Sequence, residues 1–276
     1  MTRPVRLGAV SYLNVRPLVH GLDRHPDLVS VRFDVPSVCA DLLEAGDIDL
    51  GMVPSIAHLD RPGDRIVPGV CIGSDGPVAS VAVFSRVPVP EIRRIALDTS
   101  SRTSAVLTRI LCARRFGIAP AFVLRPPDLG AMLAEADAAL LIGDPALFLD
   151  PVAHGVRKID LGGEWTAMTG LPFVWAFWAG RPEAADDRIV RLLQQAAEAG
   201  MARSDDVADA YCADTPWRRP LARQYLREHL AFRFDARAVG GLETYYREAA
   251  ALGLVPLAAP LRFFATPADA DIREAI

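Results

Sequence analysis

Two periodicities alternate through the first fifty residues, and that alternation limits the possible folds more than any other feature of the chain. "VRLGAV", "VSVRFDVP" and "DLGMVPS" are strand-length apolar runs, while "NVRPLVHGL" and "SVCADLLEAGD" between them carry helix-like patterning. The order βαβαβ predicts a parallel sheet covered by helices. After Gly73 the run "SDGPVASVAVFSRVPVP" is long and extended, and a second alternation follows in "RIALD", "SRTSAVLTRIL", "AFVLRPP", "DLGAMLAEA" and "AALLIG". "TGLPFVWAFWAGR" is extended again. Beyond it "AADDRIVRLLQQAAEAG" reads as an amphipathic helix, with Asp186 and Asp187 in its first turn and Gly200 past its end.

A chain that leaves one α/β unit through an extended segment, builds a second unit and returns through another extended segment has two lobes and a double hinge. The expected fold is two-lobed α/β, each lobe a mainly parallel sheet flanked by helices. Residues 1–82 and 177–276 make up the first, discontinuous lobe and residues 83–176 the second. Ligands of such sheets lie between the lobes at the carboxyl ends of the strands. The loops that matter are therefore "SYLN", "VPSIAH", "SDGPVAS", "DTSSRTS" and "GDPAL", all rich in small polar residues.

Composition excludes several functions. No apolar run approaches the roughly 20 residues of a membrane span. The start "MTRPVRLGAVSYLNVRPL" has no apolar core of a signal peptide, so a cytoplasmic location is expected. Four cysteines, Cys39, Cys71, Cys112 and Cys212, lie far apart without ligand spacing, which predicts neither zinc nor a disulfide framework. A net charge of −4 without a basic block argues against nucleic acid. Lys158 is the single lysine among 30 basic residues.

The densest polar cluster is "DTSSRTS", where Thr99, Ser100, Ser101, Thr103 and Ser104 surround Arg102. From Ala105 the apolar residues Val106, Leu107, Ile110 and Leu111 follow one helix face, so the hydroxyls sit at a helix N-terminus. Unpaired N–H groups and the positive end of the helix dipole there accept either a hydroxyl cap or an external anion. One cap needs one hydroxyl. A capped helix beside a solvated loop and a carboxylate or phosphate site are both compatible with the stretch.

Taken in order, "VSYLNVRPL", "DLGMVPS", "GPVASV", "ALDTSSRTS", "LLIGDPAL" and "DLGGEWTAMTGLPFVWAFWA", spanning Val10 to Ala179, resemble the chorismate dehydratase family of the futalosine route to menaquinone. The resemblance implies the type II periplasmic-binding-protein fold put to enzymatic use. It also implies a carbon–oxygen lyase that removes water from chorismate to give 3-[(1-carboxyvinyl)oxy]benzoate, and since the sequence shows no metal-ligand set and no GxxxxGK phosphate loop, neither metal nor cofactor is expected. The partner is then a small-molecule substrate, with neither nucleic acid nor membrane, and a homo-oligomer is left open. The paralogous 1,4-dihydroxy-6-naphthoate synthase usually opens with Cys-Pro-Asn where this chain has Tyr12, Leu13 and Asn14. A non-catalytic receptor for a small anion is the remaining alternative.

On that resemblance Asn14 and Ser80 are the candidate catalytic residues, against the plainer readings of a turn asparagine and an ordinary strand serine. The candidate substrate-binding residues are Ser11, Ser55, Ser100, Ser101, Arg102, Thr103, Gly143, Asp144 and Thr169. Arg102 could equally point outward or form a structural pair. Asp144 could act as a base, although a carboxylate beside a dianionic substrate is repelled and Asp before Pro is an ordinary turn former. His58 is read as structural, and His20, His25, His154 and His229 lie away from the loops of interest. With no convincing base in the chain, the enolpyruvyl carboxylate of the substrate is the expected proton acceptor.

Overall fold

The computed structural model describes residues 3–265. The outermost residues that the sequence assigns to the first lobe, 1–2 and 266–276, lie outside them. The first unit contains β1 (Val5–Val10), a 3-10 turn over Leu13–Val19, β2 (Val29–Asp34), α1 (Pro36–Ala45), β3 (Leu50–Pro54) and β4 (Arg65–Ser74). The second contains β5 (Val81–Ser85), β6 (Arg94–Asp98), α2 (Arg102–Leu111), β7 (Ala121–Arg125), α3 (Leu129–Glu135), β8 (Ala138–Ile142), α4 (Gly143–Leu147) and β9 (Arg157–Asp160). The chain returns through α5 (Leu161–Thr169) and β10 (Phe173–Gly180). It ends in α6 (Asp187–Ala202), α7 (Ser204–Tyr211), α8 (Arg219–Gln224), β11 (Ala231–Phe234) and α9 (Ala236–Ala251).

Two sheets result. The six-stranded sheet has the order β11-β4-β10-β3-β1-β2 and the five-stranded sheet the order β7-β6-β8-β5-β9. Pairing is parallel where a covering segment joins the strands, as in β1 with β2 and β3 and in β6 with β7 and β8. The crossing and returning strands run the other way: β10 against β3 and β4, β11 against β4, and β5 against β8 and β9. Both sheets are thus mixed where the sequence pattern predicts mainly parallel ones. A parallel partner requires a long crossover back to the same end of the sheet, and strands arriving directly from the other lobe lack one.

β3 and β10 are buried along their whole length, which is why their sequences read as continuous apolar runs rather than alternating ones. Phe173, Phe177 and Trp178 of β10 are completely buried and tie the central strand to both neighbours. The four cysteines are free thiols inside the core. Burial pushes the Cys39 and Cys112 thiols up to about 12, so both stay protonated and unreactive at neutral pH.

The segment "NVRPLVHGL" folds as a 3-10 turn, not as a regular helix. Pro17 inside it has no N–H to donate, which favours a short, tight turn. α6 then rests directly on it: a Cβ at Gly200 would lie 2.0 Å from the Pro17 carbonyl oxygen, so only glycine permits this approach. The backbone that carries Asn14 is fixed from below by this contact. Among the described residues no helix is long and apolar enough to cross a membrane.

Candidate active site

Between the sheets lies a narrow cleft of about 60 Å³, open to solvent. Three groups of residues line it: Tyr12 and Asn14 after β1, Ser80 before β5 with Trp175 on β10, and Ser101, Thr103 and Ser104 at the start of α2. Gly143, at the end of β8, closes one corner. Its φ of +62° suits glycine, and a Cβ there would meet the Tyr12 ring at 2.5 Å, so Tyr12 and Gly143 bring the two lobes into van der Waals contact. A larger concavity beside Arg3, Arg6 and Arg181 is mixed in charge, and both guanidinium groups of Arg3 and Arg6 already grip the Asp49 carboxylate.

On the α2 side, Ser101 is the helix cap and accepts the Ser104 N–H at 3.3 Å. The Thr103 hydroxyl accepts the Ile56 N–H at 3.3 Å and lies 3.4 Å from the Ser55 hydroxyl. Ser101, Thr103 and Ser104 therefore present hydroxyls to the cleft at the positive end of the helix dipole. Ser100 does not join them, because its hydroxyl donates to Asp98 Oδ1 at 2.6 Å and its N–H to the same oxygen at 2.8 Å. Burial raises the Asp98 carboxyl above the usual range, and the two Ser100 bonds oppose that rise. Arg102, expected among the substrate-binding residues, leaves the cleft altogether and pairs with Asp41 of α1. Successive residues on a helix point about 100° apart, so Thr103 and Ser104 facing inward turn Arg102 outward.

The opposite side is built differently. Ser80 is 1% exposed, and its Oγ lies 2.7 Å from the Tyr225 hydroxyl. The Asn14 side chain neighbours the same phenol, and its own Oδ1 is buried with no partner. Ser80 follows Ala79, the one non-glycine residue with positive φ (+63°) among the described residues. Carboxylate and ammonium groups hold this strained turn. Asp160 accepts the N–H groups of Val78 and Ala79 at 2.9 and 2.7 Å, and Lys158 Nζ donates to the Ala79 carbonyl at 2.6 Å. Burial lowers the Lys158 pKa, with Asp160 opposing. The single lysine of the chain is thus a structural clamp.

Asp144 is half-buried and does not line the cleft. Its carboxylate accepts the Leu13 N–H at 3.1 Å and the Tyr211 hydroxyl, so it bridges α4 of the second unit to the first. Burial raises its pKa and these bonds oppose the rise. The carboxylate thus joins the two lobes through Leu13 and Tyr211. Ser11 contributes its carbonyl to Tyr211 and Arg16, and Ser55 lies behind Thr103 with its carbonyl bound by Tyr246. Thr169 ends α5, where its hydroxyl donates to the Trp165 carbonyl at 2.9 Å, away from the cleft. His58 packs edge-on against Phe177, and burial lowers its pKa. Among the described residues no three His, Cys, Asp or Glu side chains are grouped to hold a metal ion.

This geometry can be set beside known proteins. A family model described as "Menaquinone biosynthesis" matches residues 5–251. The chain belongs to that menaquinone-biosynthesis family. It is 33% identical over 227 residues to the chorismate dehydratase of Thermus thermophilus, covering 75% of this chain and 82% of that protein. A crystal structure of an Archaeoglobus fulgidus protein superposes with a TM-score of 0.73 at 17% identity, covering 91% of this chain and 98% of the other. The periplasmic aliphatic sulphonate binding protein SsuA from Escherichia coli gives 0.65 at 19% identity, covering 94% and 96%. The likeness to SsuA shows that this family member has the periplasmic-binding-protein fold.

The cleft also holds residues that the sequence reading passed over. Tyr12 was visible inside "SYLN", and Ser104 inside the hydroxyl cluster. Tyr211 and Tyr225 lie in helical stretches where a tyrosine reads as core, and nothing local marks them.

Proposed function

We propose that this protein is a chorismate dehydratase, eliminating water from chorismate to give 3-[(1-carboxyvinyl)oxy]benzoate in menaquinone biosynthesis. The observation that carries the reading is a cleft with hydroxyl donors at a helix N-terminus on one side and the Asn14–Tyr225–Ser80 group on the other. The identity to the Thermus dehydratase supports it. A carboxylate of the substrate sits at the N-terminus of α2, held by Ser101, Thr103 and Ser104. Hydrogen bonds to a charged group contribute about 1.5 to 3 kcal/mol each, enough to hold one end of a dianion without an arginine.

The reaction breaks the bond from the ring to its hydroxyl and removes the neighbouring ring proton, and aromatisation drives it. Asn14 and Ser80 contact the departing oxygen and stabilise its developing charge. With Asp144 bound by Leu13 and Tyr211 and Asp98 not lining the cleft, the enolpyruvyl carboxylate of the substrate takes the ring proton, and closure of the lobes holds it over the ring. The site works by positioning, with no metal or organic cofactor in the scheme.

Incubating the purified protein with chorismate in EDTA and recording the ultraviolet spectrum tests the reading. The expected result is conversion of the cyclohexadiene to an aromatic ether with release of water. Binding without conversion would identify a receptor for small anions, the role that the sulphonate-binding neighbour's name describes. An unchanged spectrum with no binding would leave the paralogous synthase reaction on a larger substrate.

A further inference from the structure

We infer that Tyr225 is a positioning residue for this reaction, its phenol fixing the direction of the hydrogen bonds at Ser80 and Asn14; the inference rests on the dehydratase reading. The ring is 1% exposed, and burial raises the phenol pKa, so Tyr225 stays neutral and moves no proton to the substrate itself. Its hydroxyl has two polar neighbours, Ser80 Oγ at 2.7 Å and the Asn14 amide. A phenol carries one proton. When Asn14 donates to the phenol oxygen, that proton goes to Ser80 Oγ, and the Ser80 proton is left to point into the cleft. Asn14 then keeps a second N–H for the substrate, while its Oδ1 stays buried.

The arrangement gives a serine that would otherwise rotate freely a single donor direction. Preorganised donors of this kind are worth more than mobile ones, because nothing must turn when charge develops on the departing oxygen. Two further features point the same way. The backbone changes from α-helix to π-helix at Tyr225 itself, over Tyr225–His229, a local irregularity that redirects a side chain and recurs at functional sites. The Ser80 end is equally fixed, since it follows the strained Ala79 turn held by Asp160 and Lys158.

Tyr225→Phe keeps the ring and removes only the hydroxyl. The expected result is a fall of at least tenfold in kcat with KM changed less than twofold, because the lost order matters most in the transition state. Ser80→Ala should lower kcat similarly, and the double variant should be no worse than Ser80→Ala alone. Full kcat in Tyr225→Phe, or losses that multiply in the double variant, would overturn the inference. Should Tyr225→Phe not fold, the cycle of Asn14→Ala with Ser80→Ala replaces it: losses smaller than the product support coupling through the phenol, and multiplying losses refute it. If the wild-type protein leaves chorismate unchanged, the dehydratase reading fails on its own. Urea unfolding of the Tyr225→Phe and Ser80→Ala pair then still tests the chain of bonds, with additive stability losses counting against it.

Discussion

The two walls of the cleft use the same kinds of side chain in opposite ways. At the start of α2 five hydroxyl residues crowd together, yet most of their bonding is internal: Ser101 caps the helix, Ser100 serves Asp98, and Thr103 braces Ser55 and Ile56. The backbone there is regular and the cap ordinary. On the facing wall only Asn14 and Ser80 are small polar groups, but they meet beside one buried phenol that bonds Ser80, stand beside a strained residue, and leave an amide oxygen with no partner. Hydroxyl density in a sequence therefore measures how well a helix end is built. Asp98 behind the α2 wall also keeps a buried oxygen without a partner, so it is the combination of such a group with a strained turn and a shared phenol that sets the Asn14 wall apart. On the proposed function, the α2 wall binds and the Asn14 wall acts.

The largest effect expected from this division is on turnover. Asn14→Ala removes a donor at the departing oxygen and should lower kcat by about 100-fold, the scale of losing one preorganised donor, while chorismate binding is retained. A single-turnover assay beside a calorimetric titration reads the two quantities separately. If affinity fell and the rate held, the assignment of the walls would be reversed.

Substitutions on the α2 wall should do the converse. Ser104→Ala should weaken binding by about tenfold or more, the loss of one hydrogen bond to a carboxylate, with kcat and stability nearly unchanged. Ser101→Ala should lose a similar amount of affinity and also about 1 kcal/mol of stability, because it removes the cap. Calorimetry and urea unfolding on the same two proteins distinguish recognition from capping. A stability loss in Ser101→Ala with affinity intact in both variants would make this wall purely structural.

The contrast between the walls also explains what could be read in advance. Strand and helix order followed from periodicity, and the hydroxyl cluster was placed at a helix N-terminus from the apolar spacing after Ala105. α2 begins at Arg102, three residues earlier than that spacing. Post-strand loops pointed to Asn14, Ser80 and Gly143, because a strand's carboxyl end faces the cleft whatever the details of packing. Sheet direction did not follow, since β10 and β5 take their sense from the path between lobes and not from their own residues. The outward turn of Arg102, the occupation of Asp144 and the remoteness of Thr169 depend on partners, Asp41, Tyr211 and Trp165, of which Asp41 and Tyr211 are far away in sequence. Tyr225 is the clearest case: it meets Ser80 across 145 positions, and no local pattern encodes that meeting.

The smallest effect concerns backbone strain, and it sets the walls against each other most directly. Ala79 holds φ at +63°, a conformation that costs a residue with a Cβ about 1–2 kcal/mol. Ala79→Gly removes that cost and adds about 0.4–1 kcal/mol of chain entropy to the unfolded state, so the variant should be slightly more stable, by up to about 1.5 kcal/mol. Ala105→Gly, the same change inside α2, has no strain to relieve and should destabilise by about 1 kcal/mol. Opposite signs in urea unfolding are therefore expected for one substitution on two walls. The rate supplies the second half of the comparison. Asp160 and Lys158 grip the backbone of residues 78–79 and not the Ala79 side chain, so the turn persists in Ala79→Gly, and Ser80 loosens only as far as glycine widens the range of its neighbour. A fall in kcat of a few-fold together with the gain in stability would show strain spent on holding Ser80 in place. Loss of stability in Ala79→Gly would mean that the bonds to Asp160 and Lys158 select this conformation without strain, and the acting wall would then owe its order to the Tyr225 phenol alone.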